Sequence, residues 1–167
     1  LSGGSARSNY RVSADYRSAN GIDLYSGREE YGARVALNHT TKGGLITFSL
    51  NVAPRIAYRK NASWDVFRNA VEANPTTPIM DPKDPSLYYN FKGQAAGYNP
   101  LELLKKDKST GTTKLLDWDG TVKLNLLPLL LNKEDRQTLT TQLTFADHQY
   151  DNYNQWFRPS TSTLAIN

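Results

Sequence analysis

Leu45-Ile46-Thr47-Phe48-Ser49-Leu50-Asn51-Val52-Ala53-Pro54-Arg55-Ile56-Ala57-Tyr58-Arg59-Lys60 alternates along its length. Ile46, Phe48, Leu50, Val52, Ile56 and Tyr58 fall on one side, and Thr47, Ser49, Asn51, Arg55 and Arg59 on the other. A strand sends successive side chains to opposite faces, so this stretch reads as a long ribbon with one apolar and one polar, partly cationic surface. Globular strands have a mode of about 5–6 residues, whereas about 9–11 tilted residues cross a bilayer, so the length favours a membrane barrel over a sandwich. Pro54 removes a ladder hydrogen bond in mid-strand, and a bulge or a loss of pairing is expected there.

The same rule picks out further segments on either side. Asn9 to Arg17 sorts into Tyr10, Val12, Ala14 and Tyr16 against Asn9, Arg11, Ser13, Asp15 and Arg17. Tyr31 to Thr40 places Tyr31, Ala33, Val35 and Leu37 opposite Arg34 and Asn38. Trp118, Val122, Leu124 and Leu126 oppose Asp117, Asp119, Thr121, Lys123 and Asn125, and a weaker alternation from Leu139 ends at Asp147. The expected strands are therefore about 9–17, 31–40, 45–60, 115–127 and 138–147. Asp119-Gly120 is also a strong hairpin signal that would split the fourth of these in two.

The connections differ in kind. Thr41-Lys42-Gly43-Gly44 is a tight turn and Leu127 to Gln137 a short one, while Arg17 to Glu30 and above all 61–113 are longer. Short and long connections thus alternate, as periplasmic turns and extracellular loops do in outer-membrane barrels. Within the long loop, Ser63 caps an expected helix whose Trp64, Phe67 and Val71 fall near one face, and Asn74-Pro75 ends it. Trp64 and Phe67 are expected to pack in the loop's own core. Proline-rich turns follow, then the aromatic cluster Leu87-Tyr88-Tyr89-Asn90-Phe91.

Composition narrows the setting. The 167 residues fit one domain with a sizeable core, and the absence of Cys leaves no disulfide framework or thiolate metal site. Leu1 is no initiator Met and no signal peptide is visible, which suggests a fragment. Lys and Arg exceed Asp and Glu by 4, but they are scattered rather than clustered, so no nucleic-acid footprint is expected. The longest apolar run, Leu126 to Leu131, holds Pro128 and is far short of the roughly 18 residues of a spanning helix.

Few residues point to chemistry. Asp117 and Asp119 share a strand face at a spacing that suits paired glycosidase carboxylates, but without a pocket or a perturbing partner the reading is a solvated polar face. His39 and His148 have no companion at metal-ligand spacing, and Asp81-Pro82-Lys83-Asp84 reads first as a turn. Asn38-His39-Thr40 and Asn61-Ala62-Ser63 match the glycosylation sequon, a triplet common by chance. No phosphate loop follows a strand and no histidine marks a serine as nucleophile, so neither an enzyme, a cofactor nor a metal is expected.

Asn9-Tyr10-Arg11-Val12-Ser13, then Asn20-Gly21-Ile22, then Tyr31-Gly32-Ala33-Arg34-Val35-Ala36-Leu37-Asn38, resemble the early barrel of SusC/RagA-type TonB-linked (TonB-dependent) outer-membrane transporters. The helix leading into Ala73-Asn74-Pro75-Thr76-Thr77-Pro78-Ile79, and the later Tyr98-Asn99-Pro100-Leu101, resemble that family's next extracellular loop. The resemblance implies a slice of a large barrel in the outer membrane of a Gram-negative bacterium of the Bacteroides type, importing oligosaccharides or peptides with a SusD-type surface lipoprotein. The TonB complex would be engaged through parts absent here, since no plug or TonB box is found.

The resulting expectation is an all-β fold of antiparallel up-and-down strands forming part of a large transmembrane β-barrel in contact with outer-membrane lipid, with one long loop carrying a short helix. A Lys or Arg on a lipid face near midplane costs about 2–4 kcal/mol, so Arg34, Arg55 and Arg59 are expected to face the lumen and Phe48 and Leu50 the lipid. Five strands cannot close alone, so the slice by itself would transport nothing. Tyr88, Tyr89, Tyr153 and Trp156 are the candidate ligand or partner contacts, because flat aromatic faces stack on sugars and polar neighbours keep Tyr153 and Trp156 near water. The alternative is a soluble β-sandwich carbohydrate-binding module whose aromatic loop is the ligand surface.

Overall fold

The alternating stretch folds as a strand. A computed structural model of the chain describes residues 1–126, 139–160 and 162. In it the strands are β1 (Ser2–Gly4), β2 (Ser8–Asn20), β3 (Gly27–Thr40), β4 (Ile46–Asn61), β5 (Lys108–Asn125) and β6 (Thr140–Phe157), with helices α1 (Trp64–Glu72) and α2 (Pro100–Lys106) between β4 and β5. β4 is continuous through Pro54. β5 is likewise continuous through Asp119-Gly120, so no hairpin turn divides it. The expected turn at Leu127 to Gln137 lies outside the described residues, apart from the strands that flank it.

The hairpin between β3 and β4 is set by local chemistry. Gly43 and Gly44 take φ of 84° and 71°, a region that L side chains rarely enter, inside a 3₁₀ turn. Thr41 then closes the turn twice: its N–H donates to the Ile46 carbonyl at 2.9 Å, and its Oγ1 accepts from the Ile46 N–H at 3.0 Å.

The strands form a six-stranded sheet in the order β1-β2-β3-β4-β5-β6, each beside its neighbour in sequence. Cross-strand side-chain pairs record the register: Asn38 Nδ2 to Asn9 Oδ1 at 3.0 Å, Asn51 Nδ2 to Asp119 Oδ2 at 2.8 Å, and the Thr121 and Thr144 hydroxyls at 3.1 Å. β1 and β6 are the two edges of this open sheet, and nothing among the described residues joins them. The all-β transmembrane barrel is thereby corrected: the described residues form a mixed α/β structure with the helices α1 and α2 and an open sheet.

The chain divides into two compact units. The first comprises Leu1–Arg17, Glu30–Ala57 and Thr113–Asp151. One face of its sheet carries Tyr10, Leu37, Phe48, Leu50, Trp118, Val122 and Phe145 around a groove of about 600 Å³. Gly120 lies at that groove, with nothing within 4 Å of where its Cβ would be. Phe48 remains 45% exposed and Phe145 58%, so this apolar face has no cover among the described residues.

The second unit comprises Ser18–Glu29, Tyr58–Thr112 and Asn152–Asn167. Its small core is Val66, Leu103 and Leu104, with Tyr25 and Ala62 packed against them. Burial pushes the Tyr25 phenol above its ordinary pKa. α1 begins at Ser63, whose side chain accepts from the Asp65 N–H at 3.3 Å, and α2 begins at Asn99, whose Oδ1 accepts from Leu101 N–H at 3.1 Å and Glu102 N–H at 3.3 Å. The same Asn99, 1% exposed, donates from Nδ2 to the carbonyls of Ile79 and Tyr89, so one amide ties the loop's two arms to the helix start. The expected orientation of α1 is corrected. Val66 and Asn69 are its buried residues, whereas Trp64 is 80% exposed and Phe67 38%, because the face toward α2 is taken by the smaller side chains.

Candidate functional site

The segment Asp151-Asn152-Tyr153-Asn154-Gln155-Trp156-Phe157-Arg158 interleaves amides with aromatics at the end of β6. Alternation sends Asn152, Asn154 and Trp156 to one face of the strand and Tyr153, Gln155 and Phe157 to the other. Gln155 Nε2 donates to Tyr153 Oη at 2.8 Å, which fixes the second set together. The first set meets neighbouring strands. Arg59 of β4 donates from Nη2 to Asn152 Oδ1 at 3.2 Å.

Between them lies Gly111 of β5. A Cβ there would sit 2.6 Å from Asn154 Oδ1 and 3.4 Å from Arg59 Nη2. The glycine thus provides the room in which the amide and the guanidinium lie over the β5 backbone. Beyond the strand end, the Arg158 guanidinium stacks over the Trp156 ring, 4.7 Å from its centroid, and donates from Nη2 to Asp107 Oδ2 at 2.8 Å. Asp107 is the C-terminal cap of α2 and is 4% exposed, so a buried carboxylate holds the arginine that in turn holds the indole. Trp156 keeps 62% of its surface open despite that stack.

The arrangement is a flat aromatic surface beside planar hydrogen-bonding groups. An indole offers apolar area at low entropic cost, and amides and guanidinium offer donors and acceptors in fixed planes. The chemistry of such a patch suits ring-shaped molecules that are apolar on one face and hydroxylated at the rim.

The sequence-level candidates divide between places. Trp156 and Arg59 belong to this patch, and Tyr153 projects from the opposite face of β6. Tyr88 and Tyr89 serve the loop: the Tyr88 ring lies under Lys106 Nζ at 5.2 Å, and Tyr89 packs edge-on against Phe91 at 6.1 Å while its N–H donates to the Ile79 carbonyl at 3.0 Å. Arg34 and Arg55 line a polar hollow of about 210 Å³ in the first unit with Asp15 and Asp117, and Arg55 pairs with Glu30 at 3.3 Å. Asp117 is hydrogen-bonded to His148, and His39 Nδ1 to Ser8 Oγ at 2.7 Å.

No family model and no curated protein matches this chain. The SusC/RagA resemblance is therefore overturned, and the importer function drawn from it falls with it. The open sheet removes the structural basis of a closed multi-pass barrel, and no helix among the described residues is long and apolar enough to cross a membrane. The outer-membrane placement, which rested on that resemblance, is withdrawn with it.

Sequence reasoning missed Asp107, Gly111 and Arg158, and took Asn152 and Asn154 only as polar neighbours of Tyr153 and Trp156. Asn99-Pro100 with Glu102 carried a helix-start signal that would have located α2 and its cap Asp107. Gly111 had none, because its role depends on which residues face it from β4 and β6.

Proposed function

We propose that this chain is a non-catalytic carbohydrate-binding module whose ligand surface is the strand-end patch of Arg59, Asn152, Asn154 and Trp156. The observation that carries the reading is the open Trp156 ring, braced from one side by Arg158 and bordered by strand amides. Sugar rings stack on such a plane through their C–H faces while amides take the hydroxyls. The absence of catalysis is supported by the two carboxylates with glycosidase-like spacing, each of which is committed to a neighbour: Asp119 to Asn51 at 2.8 Å and Asp117 to His148. Of the partners expected from sequence, this reading keeps the oligosaccharide.

The test is a glycan array with the full chain, followed by calorimetry on the best ligand. Trp156→Ala should weaken binding at least tenfold, and Tyr153→Ala, on the other face, should leave it within twofold. Loss through Tyr153 alone, or no saccharide bound, would refute the assignment.

A further inference from the structure

Arg59 stands apart from the other half-buried or paired cations. Arg55 has Glu30 at 3.3 Å, Lys106 has Glu102 at 3.1 Å, and Arg158 has Asp107 at 2.8 Å. Arg59 has only the neutral amide of Asn152, and no carboxylate among the described residues lies within 4.0 Å of it. Its Nε is buried without an acceptor. Nη1 makes no hydrogen bond to any described residue either, and it is not among the buried unpartnered atoms, so this arm of the fork reaches the surface. A partly desolvated cation with an orphaned donor lacks the anion that would offset its burial.

We infer that the patch selects an anionic saccharide, a uronate or sulfated sugar, whose charged group docks on Arg59 while its ring lies against Trp156. The inference rests on the carbohydrate reading above and adds the charge of the ligand to it. A guanidinium matches carboxylate and sulfate oxygens with paired N–H donors, which a hydroxyl cannot equal. Arg158 cannot serve in its place, because Asp107 already neutralises it.

The experiment is calorimetric titration of the full chain with tetragalacturonate, with a sulfated galactan oligosaccharide of similar length, and with neutral galactotetraose. Wild type should bind at least one charged ligand ten or more times more tightly than the neutral one, and the advantage should shrink as salt is raised. Arg59→Gln should erase the difference between charged and neutral ligands, and Arg59→Lys should retain part of it. Circular dichroism of each variant confirms the fold. Equal affinity for charged and neutral ligands, or an advantage that survives Arg59→Gln, overturns the inference and leaves the carbohydrate reading standing. Failure of all three ligands and of the glycan array overturns both.

Discussion

Arg55 and Arg59 come from one strand, four positions apart, and read alike in sequence, yet their surroundings have little in common. Around Arg55, β3 supplies Glu30, a carboxylate whose side chain is 8% exposed, and the pair is closed at 3.3 Å. Around Arg59, β5 supplies Gly111 and β6 supplies Asn152, so the second guanidinium finds space and a neutral amide but no anion among the described residues. The neighbouring strand, not the arginine, decides whether a charge is structural or available. The first guanidinium has its counter-charge, and the second has none among the described residues.

The largest effect that could break this contrast is expected at Arg55. Arg55→Ala removes a charge partner from a buried carboxylate, and urea unfolding should show a loss of about 1–3 kcal/mol. An unchanged midpoint would mean that the Glu30 pair contributes nothing. Gly111→Ala comes next. The added Cβ meets the end of the flexible Asn154 side chain at 2.6 Å, so the expected cost is about 1 kcal/mol of overpacking, accompanied by displacement of the amide and weaker saccharide binding.

Arg59→Gln should change stability by less than about 0.5 kcal/mol, or raise it, because the substitution removes a cation that is desolvated without an anion. A loss as large as that of Arg55→Ala would place Arg59 among the structural charges. The smallest effect concerns a charge satisfied within its own loop. Asp23 is held below its ordinary pKa of 3.8 first by the Ser26 hydroxyl, and also by the N–H groups of Ser26 and Tyr25, which donate at 2.6 and 2.7 Å. Its stabilising contribution is complete above the ordinary carboxylate pKa and is lost as pH falls through the depressed one. Ser26→Ala should bring the Asp23 titration, followed by NMR, back toward the ordinary value. No movement would assign the shift to the backbone donors alone.

The sequence made some of this legible and hid the rest for identifiable reasons. β4 could be read from Leu45 to Lys60 because its apolar and polar side chains alternate almost without error along its length. β6 could be read only to Asp147, because beyond it the run Asp147-His148-Gln149-Tyr150-Asp151-Asn152 puts polar residues on both faces and the alternation fades. The stripe of Trp64, Phe67 and Val71 located α1 but not its orientation, since spacing identifies a face and only the packing of Val66 against Leu103 and Leu104 shows which face is covered. Trp156 and Arg59 were recognisable as residue types suited to binding. That Asn152 and Gly111 flank Arg59 depends on the register of β4, β5 and β6, which alternation within one strand does not encode.

The strictly sequential strand order has a kinetic meaning. Every pairing joins neighbours in the chain, so most of the sheet can assemble from hairpins, the quickest β structures to form. The β3–β4 hairpin, with its two-glycine turn, is the natural starting point. The join of β4 to β5 differs, since it must close the whole excursion from Ala62 to Asp107, at about 0.6 kcal/mol for each doubling of loop length. The packing of α2 on α1 brings distant parts of that span together. Loosening the α1–α2 contact is therefore expected to slow the addition of the second half of the sheet, which stopped-flow refolding reads.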